Sequence, residues 1–109
     1  MKLIITIVQD DDSLDLVEEL NEKGYTVTKL ATTGGFLKAG NTTLLIGVEA
    51  SKVDNAIEII KGNCERRKGT LPIVEPIPEP AGVFVPYPVD VEIGGATIFV
   101  VDVDKFLKI

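Results

Sequence analysis

The residues whose types and spacing best suit chemistry lie between positions 28 and 47. Gly34 and Gly35 are adjacent, Phe36 and Leu37 follow, and Lys38 and Asn41 come next. Glycine lets the backbone reach positive φ and lets another group approach a peptide closely. Successive N–H groups in such a turn form a concavity that suits an anion. Phe36 and Leu37 are large apolar side chains in a connection, Lys38 is a cation, and Asn41 is an amide that donates and accepts. Gly47, near the end of the next apolar run, marks a place where something comes close to a strand. This set suits a ligand with phosphate-like oxygens and a flat base. It also suits a long hairpin whose Phe36 and Leu37 tuck onto the core, because a glycine pair is by itself a weak signal.

Catalysis has little to work with. The chain has no His, which removes the commonest general base and metal ligand. Its single Cys, Cys64, excludes an internal disulfide and a cysteine-cluster metal site. Helical spacing from Ile57 and Ile60 assigns Cys64 to the core. Glu18 and Glu19 are neighbours on a helix and diverge into solvent, and the hydroxyls have no visible base. We therefore expect no enzyme, no cofactor and no metal. A net charge of -6 argues against nucleic-acid binding, which needs a basic face. The run Arg66-Arg67-Lys68 is too short to reverse that. No apolar run reaches the ~18–20 residues that span a bilayer. Leu3 to Val8 is too short for a signal-peptide core, and three aspartates follow it. The expected location is the cytoplasm.

The elements that must position the 28–47 stretch are readable in outline. A chain of 109 residues is expected to form a single domain. Leu3 to Val8 is a nearly continuous apolar strand, expected at the centre of a sheet and buried on both faces. Asp10 to Ser13 supply N-caps for a helix from about Ser13 to Lys23, with Leu14, Val17 and Leu20 on its buried stripe and Leu16 beside them. Lys23-Gly24 is its stop. Tyr25 to Leu30 alternates as a strand, with Tyr25 and Val27 on one face and Thr26, Thr28 and Leu30 on the other. A ligand loop at 32–41 leads to a strand over Thr42–Val48. Ser51 to Asp54 resembles a capping box. The second helix carries Val53, Ile57, Ile60 and Cys64, with Ala56 beside them. All six prolines fall between Pro72 and Pro88. The segment 65–86 is therefore expected as a long extended loop, either a partner-facing arm or an unstructured insertion. Val89 to Ile93, the Gly94-Gly95 turn and Ala96 to Val103 read as a hairpin, and Asp104 to Ile109 as a short helical turn or tail. The pattern is α+β, a ferredoxin-like βαββαβ sandwich with an extra C-terminal hairpin strand. Its helices cover one sheet face, and oligomerisation is expected to bury the other.

Several separated motifs occur here in order. They are MKLIITIVQDDDS at the start, ATTGGFLKAGNTT before the strand that ends at Gly47, and VPYPVDVEIGGATIFVVDVDKF near the end. Together they resemble the cyclic-di-AMP receptors of the bacterial PII-like signal-transduction superfamily, almost from end to end. The resemblance implies a homotrimer that packs its sheets inward around a threefold axis, with the ligand cyclic di-AMP bound between neighbouring subunits. Carried over by position, Thr28 hydrogen-bonds the ligand and the backbone of Gly35, Phe36 and Leu37 meets base and phosphate. Asn41 donates its amide, Gly47 keeps the pocket wall low, and Phe99 lines the pocket.

The sequence departs from the family pattern at two positions. Where an arginine reaches a phosphate in the family, this chain has Thr26, which carries no charge. Where the family has a glutamine, it has Lys108, a cation that could serve from the tail, as could Lys29 or Lys38. The expectation is a non-enzymatic receptor whose ligand orders the 32–41 and 65–86 loops and so alters docking of an unknown downstream protein. The alternatives are a PII-like sensor of another adenine nucleotide, ATP or AMP, and a structural trimer with a degenerate pocket.

Overall fold

The structure, a computed structural model, describes residues 1–30, 40–76 and 84–109, with 69–76 and 84–91 described as backbone. The elements in chain order are β1 (Lys2–Gln9), α1 (Asp10–Glu22), β2 (Val27–Leu30), β3 (Asn41–Val48), α2 (Val53–Cys64), β4 (Arg67–Pro76), β5 (Phe84–Ile93) and β6 (Ala96–Asp102). A single 3-10 turn, Ala50–Lys52, leads into α2. Four strands form an antiparallel sheet in the order β2-β3-β1-β6, and β4 pairs with β5 in a separate two-stranded ribbon. This is the ferredoxin-like arrangement, with the ribbon inserted between α2 and the last sheet strand.

Strand β1 is central because its apolar run lets it pair on both edges. Its even positions, Ile4, Thr6 and Val8, are buried beneath the helices. Its odd positions, Leu3, Ile5 and Ile7, are half-buried on the other face. The burial expected on both faces is thus complete on one face only within a single chain. The core joins Ile4, Val8, Leu44 and Ile46 of the sheet to Leu16 and Leu20 of α1 and to Ala56, Ile59 and Ile60 of α2. Each fully buried Leu or Ile contributes about 1.5–3 kcal/mol.

Helix α1 begins three residues before the expected Ser13, so the acids occupy its first turn, where the helix dipole favours them. Ser13 is no cap; its Oγ donates to the Asp10 carbonyl at 2.8 Å. The buried stripe is Ser13, Leu16 and Leu20 with Val17 packed beside it, and Leu14 is 67% exposed. The expected stripe was therefore rotated by part of a turn. The stop is a Schellman motif: Gly24, at φ +90, donates to Asn21, and Tyr25 donates to Leu20 at 2.9 Å. In α2, Ala56, Ile59, Ile60 and Cys64 are buried and Ile57 only half so. Ser51 lies inside the 3-10 turn, and α2 has no side-chain cap.

The proline-rich segment is not a loop throughout, because β4 and β5 pair from Arg67↔Ile93 to Pro76↔Phe84. Pro72, Pro76, Pro86 and Pro88 all fall at even positions of this register, Pro72 facing Pro88. Successive N–H groups in a strand point to opposite edges. Prolines of one parity therefore join the ladder where the missing donor faces outward. Both outer edges of the ribbon lose donors, which blunts edge-to-edge pairing. The expected hairpin about Gly94-Gly95 is corrected by the same register. Strand β5 pairs with β4, and β6 pairs with β1. The two glycines, at φ +84 and +88, instead carry the chain from the ribbon into the sheet. Gly94 N–H donates to Gln9 Oε1 at 2.9 Å, and Gly95 N–H donates to the Cys64 carbonyl. Beyond β6 the chain is a tail without helix or strand. Its start is held by Val103 N–H donating to the Met1 carbonyl at 3.2 Å.

Candidate functional site

The helix-free face of the sheet assembles part of the expected site. Residues of one parity on each strand point to this face, so Thr26 and Thr28 of the β2 segment share it with Leu45 and Gly47 of β3 and Leu3 of β1. At the N-terminal end of β1 these residues line a cavity of about 310 Å³ that Phe106 closes from the tail. Both threonines are exposed, and the wall they help to line is mostly apolar. Met1 reaches over Gly47. A Cβ built at Gly47 would lie 3.1 Å from Met1 Cε, the mobile end of a flexible side chain. Gly47 thus lines the cavity without a side chain, and the neighbour a Cβ would meet within the chain is one that can move.

Of the remaining expected residues, those that the structure describes lie elsewhere. Gly35, Phe36 and Leu37 fall outside the described residues, as does Lys38. Asn41 is half-buried at the start of β3, opposite Gln9. It borders a second recess of about 210 Å³, shared with Gln9, Arg66 and Gly94. Six residues of strand separate Asn41 from Gly47, roughly 20 Å. Lys108 is exposed in the tail. Phe99 is 53% exposed on β6, on the same face as Thr28 but at the opposite edge of the sheet. Thr28 pairs with Leu45, Leu45 with Ile5, and Ile5 with Phe99. Three interstrand spacings make that row about 14 Å long. Phe106 and Met1 were missed from the sequence. Phe106 stands at the end of a motif and near the end of the chain, and the Met1–Val103 hydrogen bond holds the start of its tail beside β1.

Elsewhere the chemistry is structural. Asp12 is 6% exposed, and its Oδ1 accepts from Arg67 Nη2 at 2.7 Å, while Arg67 Nη1 donates to the Glu65 carbonyl. This fork ties the root of the ribbon to the first turn of α1. Another recess, about 620 Å³, lies between the end of α2 and β6 and includes Cys64, Arg66 and Ile98 but none of the expected site residues. Burial, reinforced by the Asp12 carboxylate and opposed by Arg67, pushes the Cys64 thiol up to about 11. At neutral pH it is a protonated core thiol, in keeping with its helical spacing. Among the described residues, no three His, Cys, Asp or Glu side chains are grouped to hold a metal, and no helix is long and apolar enough to cross a membrane.

Comparison with known proteins adds two findings. The model of a family described as "Cyclic-di-AMP receptor" matches residues 1–109, the whole chain. Among solved structures, the crystal structure of a functionally unknown protein from Pediococcus pentosaceus ATCC 25745 is similar, with 40% sequence identity and a TM-score of 0.74. That match covers 99% of this chain and 96% of the other.

Proposed function

The chain belongs to the cyclic-di-AMP receptor family, and from that membership we propose that it is a cytoplasmic, non-enzymatic receptor. In this reading it binds cyclic di-AMP in pockets between the subunits of a homotrimer and passes the change to a downstream protein. The observation that carries the shared pocket is the strand order. Thr28 and Phe99 lie on one face at opposite edges of one sheet, about 14 Å apart by interstrand spacing. A single pocket takes both side chains where the β2 edge of one copy meets the β6 edge of another. Half-buried Leu3, Ile5, Ile7 and Leu45 on that face supply the apolar surface for such packing.

In the proposed pocket the Thr28 hydroxyl and the Asn41 amide hydrogen-bond the ligand. The backbone of Gly35, Phe36 and Leu37 meets base and phosphate. Gly47 leaves room, Phe99 of the neighbouring subunit supplies an aromatic wall, and Lys108 offers charge from the tail. Ligand then orders the 32–41 loop, and the β4–β5 ribbon carries the signal outward. A second reading, a sensor of ATP or AMP, is favoured by one observation. Thr26 borders the cavity where the family pattern has an arginine, and no cationic side chain lines it among the described residues.

Mixed assemblies test the shared pocket. Thr28→Tyr blocks one half of the proposed site and Phe99→Ala removes the other, so neither variant alone should bind. Co-expressed, the two should regain binding at those sites that draw Thr28 from one chain and Phe99 from the other. No recovery in demonstrably mixed assemblies would sink the shared pocket.

A further inference from the structure

We infer that Phe106 is a ligand-contacting residue of this pocket, the aromatic surface on which one purine of the ligand stacks. The inference rests on the receptor reading above and extends it to a residue to which the family resemblance gave no role. Phe106 is 62% exposed and takes no part in the core, yet its ring lines the cavity formed by Thr26, Thr28, Leu45 and Gly47. Its position follows from a contact between the two ends of the described chain. Val103 N–H donates to the Met1 carbonyl, which starts the tail beside the end of β1, and three residues later the ring is over the open face. Thr26 and Thr28, each with a hydroxyl, and Gly47, which has no side chain, line the same cavity. A purine needs an apolar face to stack on, hydrogen-bonding groups at its edge and a floor low enough to admit a flat ring. The cavity offers these as Phe106, the threonines and Gly47. It is also distinct from the recess that Asn41 borders, about 20 Å along β3. Two separated subsites suit a ligand with two bases.

The chain has no tryptophan, so Phe106→Trp places a single indole reporter in the cavity. Cyclic di-AMP should quench or shift its emission saturably, ending at one ligand per subunit. Phe106→Ala should weaken cyclic di-AMP binding roughly fivefold to a hundredfold, the range of base–aromatic stacking. It should leave the sedimentation mass and melting temperature close to wild type, and Phe106→Tyr should restore most of the affinity. Three results would overturn the inference. If Phe106→Ala binds as tightly as a wild type that binds, the inference fails and the receptor reading stands. Phe106→Ala assemblies that fall apart without ligand would make Phe106 a subunit-contact residue. A wild-type chain that does not bind cyclic di-AMP would remove the receptor reading and this inference together.

Discussion

Thr28 is the proposed site residue whose contribution can be isolated most cleanly. It is exposed on an edge strand, and valine has nearly its shape without the hydroxyl. Thr28→Val should leave the melting temperature unchanged and weaken cyclic di-AMP binding roughly threefold to tenfold, the loss of one hydrogen bond. Titration calorimetry reads it, and an unchanged affinity would remove Thr28 from the site. Cys64 offers a second test at this scale. Its thiol is raised from an ordinary 9.0 to about 11 in the fold. Between those values the unfolded chain loses the proton while the folded chain keeps it, so stability falls as pH rises through that window. Cys64→Ala should be less stable at pH 8, with a shallower decline toward pH 11, in thermal melts compared side by side. The family pattern named Thr28 and Gly47, and the structure brings both to one cavity. Phe106 was not legible, because its place depends on a hydrogen bond between the two ends of the described chain rather than on any local signal.

At the scale of elements, the ribbon is held where it leaves the helix. Arg67 bridges the buried Asp12 carboxylate and the Glu65 carbonyl. Arg67→Ala leaves Asp12 buried without its cation and should lower stability, by an amount limited by the exposure of Arg67. Urea denaturation measures it. Arg67→Lys should recover only part, since one ammonium cannot reproduce the fork. Gly94 is locked into the same joint. A Cβ there would lie 2.6 Å from the Glu65 carbonyl oxygen, and its φ of +84 strains other residues. The sequence showed both helices through their apolar periodicity but misjudged their phase, choosing Leu14 over Ser13 and Ile57 over Ile59. Spacing alone cannot tell which side of a helix meets the sheet. Gly94-Gly95 misled for a related reason. A glycine pair at positive φ serves a tight hairpin and a crossing between two sheets equally well, and strand pairing far along the chain decides between them. The prolines suggested an extended segment, which was right for the backbone, but their common parity became meaningful only once the β4–β5 register was known.

For the whole molecule the central feature is a sheet with helices on one face. Its other face carries half-buried Ile5 at the middle and exposed Phe99 and Val101 at the β6 edge. If that face packs against further copies, Ile5→Glu should yield a folded monomer with helical circular dichroism intact, because the substitution buries a charge only in the assembly. A monomeric wild type by sedimentation equilibrium, or an Ile5→Glu variant that still assembles, would remove this face from the interface. The ferredoxin-like order was legible because the strands of the four-stranded sheet and both helices were, whereas β4 was expected as loop. The measurement that tests the account most directly is calorimetric titration of the purified chain with cyclic di-AMP, with ATP, AMP and cyclic di-GMP run alongside. The account predicts one cyclic di-AMP per subunit, bound at micromolar affinity or tighter, about -8 kcal/mol, and preferred over the other three. No binding of cyclic di-AMP, or an equal preference for ATP or AMP, would contradict it.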